Sequence, residues 1–114
     1  MSADCLFCRM ASGEVPVDKV HEDELVFAIR DINPQAPTHV LVMPVAHVRS
    51  AAELTEADAP MLARLFTVAA EIAKQDGLDG GWRLVSNVGP DAGQSVPHLH
   101  AHLLGGRSMH WPPG

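Results

Sequence analysis

From Leu54 to Gly81 the chain reads LTEADAPMLARLFTVAAEIAKQDGLDGG, and within it apolar residues recur every three or four positions. Met61, Leu62, Leu65, Val68, Ala69 and Ile72 fall on one stripe at the helical period, so the stretch predicts a long amphipathic helix. Thr55 and Asp58 have the spacing of a capping box, Pro60 leaves the exact start of the helix open, and Gly77 is a natural stop. Elsewhere the apolar runs are short and bounded by turn formers. They predict strands at Asp18–His21, Leu25–Asp31, Val40–Pro44 and Trp82–Asn87, after a short helical or turn segment at Asp4–Ser12.

The stretch SVPHLHAHLLGG, Ser95 to Gly106, places histidines at alternate positions: His98, His100 and His102. On a helix this spacing would scatter the rings around the axis. On a strand it turns all three to one side and Leu99, Ala101 and Leu103 to the other, so a strand is expected at His98–Leu104. Several strands under one main helix predict an α+β fold with a largely antiparallel sheet. A metal held by all three histidines is awkward, because alternate residues on a strand stand ~7 Å apart whereas zinc ligands sit ~2 Å from the ion. A row of imidazoles acting on one reacting group in different roles fits the spacing better.

Composition narrows the setting. The 114 residues suffice for one core, so 1–114 is expected to form a single domain, with 107–114 (RSMHWPPG) as an extended tail whose Trp111 suits an anchor onto another surface. No segment approaches the ~20 uninterrupted apolar residues of a membrane span, and the opening MSADCLFCRM lacks the pattern of a signal peptide. A formal net charge of −6 argues against wholesale binding to a nucleic-acid polymer. A single nucleotide remains compatible, provided that backbone N–H groups and local cations receive its phosphate. The two cysteines, Cys5 and Cys8, read as thiols of a cytoplasmic protein rather than as a structural disulfide.

The loop SNVGPDAGQSVP precedes the histidines. Gly89, Gly93 and Pro90–Asp91 favour a bent backbone whose N–H groups can point at an anion, Ser95 adds a hydroxyl, and Pro97 suits a strand start. Alone this is an ordinary hairpin loop. Beside a row of imidazoles it points to phosphoryl or nucleotidyl transfer. Neutral imidazole attacks phosphorus when one ring nitrogen is hydrogen-bonded and the other presents its lone pair. Loop N–H groups and a second imidazole can then stabilise the charge on the phosphate oxygens and assist the leaving group.

The run His98-Leu-His100-Ala-His102-Leu-Leu resembles the histidine-triad (HIT) signature, in which histidines alternate with apolar residues. CLFCRMASGEVP, AIRDINPQAPTHVLVMP, GQSVPHLHAHLLGGR and MHWPPG resemble the Hint-like branch of that family in the same order and at the same spacings, over essentially the whole chain. Pro97 stands where an aromatic residue is frequent, and Ala101 is smaller than the usual spacer. The resemblance implies a five-stranded sheet with one long and one short helix, joined to a second sheet across a homodimer. It implies a hydrolase or transferase acting at the α-phosphorus of purine nucleoside monophosphate derivatives, with phosphoramidates and aminoacyl adenylates as substrates. By the same resemblance His100 is the nucleophile, His102 contacts the phosphate, His39 handles protons nearby and Ser95 completes the catalytic set. Asp31 would bind the ribose, and Leu6, Phe7, Ile29 and Ile32 would form the base slot. Asn87, Gly93, Gln94, Ser95 and Val96 would line the phosphate and leaving-group side, and Trp111 would reach the partner subunit's site.

Cys5-x-x-Cys8 cannot make a four-cysteine zinc site, but two histidines could complete one. A redox pair is the rival. It ranks lower because such motifs follow a strand and open a helix, and only four residues precede Cys5. The resemblance implies that His47 and His98 complete a structural Zn2+ site with both cysteines, and that the chemistry itself needs no cofactor. Two further readings stay open: a nucleotide-binding regulatory module of the same fold that turns over slowly, and a metal-dependent hydrolase using His98, His100 and His102.

Overall fold

The structure is a computed structural model that describes residues 4–114. It contains a short helix α1 (Leu6–Ser12), strands β1 (Lys19–Glu22), β2 (Val26–Arg30) and β3 (Thr38–Pro44), a long helix α2 (Ala59–Gln75), and strands β4 (Trp82–Ser86) and β5 (Ala101–Gly105). The five strands form one sheet in the order β1-β2-β3-β5-β4, with every neighbouring pair antiparallel. This is the α+β architecture that the pattern predicts.

Strand alternation divides the apolar residues between two faces. Val26, Ala28, Val40, Val42, Ala101 and Leu103 pack under α2 against Met61, Leu65, Val68, Ala69, Ile72 and Ala73. The opposite face carries Phe27, Ile29, Leu41 and Met43, covered by Cys5, Phe7 and Cys8 from the α1 segment. β3 is therefore buried along its whole length. α1 is capped at its start by the Cys5 thiol, which accepts from the Cys8 N–H, and stops at Gly13, whose φ of 86° lies where a Cβ is disfavoured.

The capping box of Thr55 and Asp58 is present, but it closes a 3₁₀ turn at Glu56–Asp58, and α2 starts immediately afterwards with Pro60 in its first turn. At the other end of α2, Asp76 accepts a two-pronged ion pair from Arg30 at 2.9 and 3.1 Å and a hydrogen bond from the Thr38 hydroxyl at 2.9 Å. The Arg30 guanidinium holds the Asp76 carboxyl below the usual carboxylate range. This pair ties the end of the helix to the outgoing end of β2, one residue before Asp31.

Two strand starts need correction: β3 begins at Thr38, two residues ahead of the expected Val40, which brings His39 into the strand. The strand expected at His98–Leu104 begins only at Ala101. The His98 N–H turns back to the Val96 carbonyl at 2.8 Å, and the Leu99 N–H bonds Val48 at 2.6 Å, so neither donor joins the β3 ladder. Pro97, with no N–H to offer, precedes this bend. The alternation of faces nevertheless survives: Leu99, Ala101 and Leu103 all reach the α2 core.

Leu65 is 2% exposed in that core. Truncation to Ala should cost about 2–5 kcal/mol of unfolding free energy, read as a lowered denaturant midpoint at unchanged slope.

Candidate active site and metal centre

The face of the sheet opposite α2 carries two adjoining groups of titratable side chains. The first is built on β3 and β5. His39 Nδ1 accepts the Gln35 N–H at 3.0 Å, so the proton of the neutral ring rests on Nε2. That nitrogen lies 2.9 Å from His102 Nδ1 and 3.4 Å from an Asp31 carboxylate oxygen. His102 therefore accepts through Nδ1 and keeps its own proton on Nε2. Asp31 is steadied in turn by the Asn33 N–H, which donates to its other oxygen at 2.8 Å. The result is a directed chain from the Gln35 amide through His39 to a donor on His102.

His100 has the opposite tautomer. Its Nδ1 lies 2.7 Å from the His98 carbonyl oxygen, which can only accept. The proton is thus on Nδ1, and Nε2 holds a lone pair. The His100 ring centroid is 5.0 Å from that of His102 and 5.2 Å edge-on from that of Phe7. A nucleophilic nitrogen and an N–H donor on adjacent rings are the two components that displacement at phosphorus requires.

His98 belongs elsewhere. Its Nε2–H donates to the Pro44 carbonyl at 2.8 Å, which turns the Nδ1 lone pair toward Cys5 Sγ at 3.3 Å and Cys8 Sγ at 3.6 Å. His47 Nδ1 lies 3.3 Å from Cys8 Sγ. The four donor atoms lie within 4.8 Å of one another, and Cys5, Cys8 and His98 are buried. A tetrahedral zinc with Zn–S near 2.3 Å and Zn–N near 2.0–2.1 Å implies S···N edges of about 3.6 Å. The observed spacings and the soft donor set fit structural Zn2+, with the Pro44 carbonyl as the outer partner that orients one imidazole. Asp31, His39 and His102 also cluster. There, however, the Gln35 N–H occupies one nitrogen of His39 and the proton the other, so the group is a hydrogen-bonded relay.

The loop before β5 is more closed than its glycines suggest. It contains a 3₁₀ turn at Pro90–Ala92, and Gly93 leaves that turn at φ 81°. The N–H groups of Gly93 and Gln94 bond Pro90 and Gly89 within the loop, and the Gly89 N–H donates to the Gln94 side chain at 3.0 Å. The Gln94 amide also donates to Arg49 and Val96 carbonyls at 2.7 and 3.0 Å, so it braces the loop. Among the described residues, the N–H groups of Ser95 and Val96, next to the histidines, have no backbone partner. Ser95 is exposed and Asn87 half-buried.

The structure places Phe7 and Ile29 in the apolar cluster beside these rings, whereas Leu6 is partly exposed and Ile32 fully so. Trp111 is 82% exposed in the single chain. Its tail is held by Arg83, which donates to the His110 carbonyl at 3.1 Å. Arg83 alternates with Leu84, which packs on the α2 core, so it lies on the histidine face. Sequence reasoning missed the Gln35 amide and the His98 and Pro44 carbonyls. Main-chain groups leave no residue-type signal.

The sequence profile described as the HIT domain matches residues 12–109. The chain belongs to the HIT family. It is 47% identical over 114 residues to an uncharacterized HIT-like protein of Synechococcus elongatus, covering 100% of both chains. It is 49% identical over 111 residues to a 14 kDa zinc-binding protein of Zea mays, covering 96% of this chain and 87% of that one. A solved HIT family hydrolase from Legionella pneumophila superposes with a TM-score of 0.94 at 47% identity, over 97% of this chain and 100% of that one. This chain thus carries the HIT fold of proteins described as hydrolases.

Burial depresses the His102 pKa to about 4, reinforced by the like charges that His100 and His39 would carry and opposed by Asp31. A histidine without these surroundings titrates near 6.5. The stability contributed by the neutral ring is therefore full above that value and is lost as pH falls toward about 4. At about pH 5.5 the His102 ring should still be neutral with its proton on Nε2, read from its ¹⁵N shifts. A charged ring at that pH would contradict this account.

Proposed function

We propose that this HIT protein is a hydrolase or transferase acting at the α-phosphorus of purine nucleoside monophosphate derivatives, such as adenosine phosphoramidates and aminoacyl adenylates. The observation that carries the reading is the 2.7 Å bond between His100 Nδ1 and the His98 carbonyl. In the neutral ring it leaves Nε2 with a lone pair.

In the first step that lone pair attacks phosphorus, and the bond from phosphorus to the leaving nitrogen or oxygen breaks. His102 Nε2–H donates a hydrogen bond to the phosphate or the departing group, which takes its proton from solvent, while the His39 Nε2–H at His102 Nδ1 holds that ring in its tautomer. In the second step water attacks the nucleotidyl-histidine and gives up a proton to solvent, the N–P bond breaks, and AMP or GMP leaves. Ser95, with its own N–H and that of Val96, receives oxygens on the leaving-group side, and Asn87, Gly93 and Gln94 shape that wall. Asp31 accepts the ribose hydroxyls, and Leu6, Phe7, Ile29 and Ile32 stack on the purine.

Cys5, Cys8, His47 and His98 hold Zn2+ in this reading. With four protein ligands the ion fixes structure and leaves no position for substrate. The donor geometry supports it, as does the name of the maize relative. Among the described residues no helix is long and apolar enough to cross a membrane. A cytoplasmic setting, where thiols stay reduced, suits such a centre.

A homodimer completes the site. β4 is an edge strand, and beside it Leu54, Leu62, Phe66 and Leu84 surround an apolar hollow of about 300 Å³. Phe66 is 56% exposed. Pairing two such edges would cover this surface and bring each Trp111 to the other site. Deleting the residues after Met109 should then change discrimination among amine and aminoacyl leaving groups more than it changes AMP affinity. An unaltered specificity profile would remove the tail from substrate choice.

The reaction itself is tested at His100. His100→Ala should abolish hydrolysis of adenosine 5′-phosphoramidate while retaining AMP affinity, because Asp31 and the base slot are untouched. His102→Ala should retain some activity, since acid–base assistance is typically worth ~10²–10⁴-fold. At a chiral phosphorothioate, two in-line displacements give net retention of configuration. Inversion would mean direct attack by water and would sink the covalent route.

A further inference from the structure

His98 faces two ways. Its ring joins the Cys5–Cys8–His47 donor set, while its main-chain carbonyl takes the His100 Nδ1 proton at 2.7 Å. That carbonyl lies outside regular structure, because β5 starts at Ala101 and its paired registers with β3 and β4 end there. What holds the peptide is the cluster around it. The buried His98 ring is fixed at Nε2 by Pro44 and faces both cysteines through Nδ1. The Leu99 N–H is tied at 2.6 Å to the carbonyl of Val48, the residue after His47. Phe7, lying between the two cysteines in sequence, meets the His98 and His100 rings edge-on at 5.7 and 5.2 Å.

We propose that the Cys5–Cys8–His47–His98 centre is a positioning device for the nucleophile: through the His98 carbonyl it fixes the place and tautomer of the His100 ring, so that filling the centre raises turnover far more than nucleotide affinity. This rests on the preceding reading of His100 and of the donor set. With the four donors gathered on one ion, the plane of the 98–99 peptide is locked. With them dispersed, the bond to His100 weakens and the ring populates the Nε2–H tautomer, whose lone pair sits on Nδ1, turned toward the His98 peptide, and not on Nε2. Nucleotide affinity is insulated from this change. Asp31 and Ile29 belong to β2 and its outgoing turn, and α1 keeps its apolar anchors on Phe27, Leu41 and Met43 whether or not the donors are filled.

The test compares the zinc-loaded protein with Cys8→Ser and with His47→Ala, which removes a ligand while leaving both cysteines and the His98 segment. Zinc content, AMP affinity by calorimetry, kcat and KM for adenosine 5′-phosphoramidate, and the ¹⁵N shifts of the His100 ring are read on each. The expected result is loss of zinc, AMP affinity and KM within about threefold, and kcat lower by about tenfold or more, the scale of a misplaced reacting group. The Nδ1–H signature of His100 should give way to a tautomer mixture. Two results would overturn the proposal: zinc-free protein that keeps both kcat and the Nδ1–H tautomer, or AMP affinity that falls as far as kcat, the mark of general loosening. Wild-type protein that binds no zinc and already has the Nδ1–H tautomer would overturn it as well. Failure of the nucleophile reading is separable, because it shows as activity surviving in zinc-loaded His100→Ala.

Discussion

The burial of β3 on both faces is the constraint on which the rest of the structure depends. From Thr38 to Pro44 no residue of this strand is exposed, so its even and odd side chains must each find a separate layer. Val40 and Val42 take α2, while Leu41 and Met43 take the α1 segment. His39 shares the second face with Leu41, which is why a 6%-exposed imidazole lies beside apolar neighbours and must be bonded at both nitrogens. A strand covered on only one side would leave His39 in water, with its tautomer unset. The chemistry of the site thus begins as a packing requirement.

The same constraint explains which parts of the fold were legible in sequence. The stripe from Met61 to Ile72 is long and regular, and all its members lie in or against the core. The strands were legible because turn formers bound them. The boundary displaced furthest, at His98, arose where periodicity and hydrogen bonding part company. Alternation of side chains needs only an extended backbone, whereas a ladder needs each N–H to face a neighbour. Leu99 obeys the first requirement and breaks the second by bonding Val48.

Legibility of the site follows a similar division. The histidines, the paired cysteines and Asp31 are visible because their side chains define them. Their protonation states are not visible, because main-chain groups set those: the Gln35 amide for His39, the His98 carbonyl for His100 and the Pro44 carbonyl for His98. The glycine-rich loop shows the converse. Its glycines were legible as flexible backbone, yet the N–H groups of Gly89, Gly93 and Gln94 are satisfied within the loop or by the Gln94 side chain.

The bend at His98 also resolves how one row of histidines serves two kinds of chemistry. A continuous strand would present three equivalent rings to one side of the sheet. The turn at residues 96–98 carries the first ring to the cysteines, and strand geometry returns from Ala101 to hold His102 against His39. His100, between the two regimes, takes its orientation from the first and its neighbour from the second. Its Nδ1 points back to the His98 peptide, and the adjacent His102 ring, kept neutral by burial, offers an N–H where a charged ring would repel a protonated partner. Two imidazoles with opposite tautomers, set by separate hydrogen-bond networks, place a lone pair on one ring beside an N–H on the other.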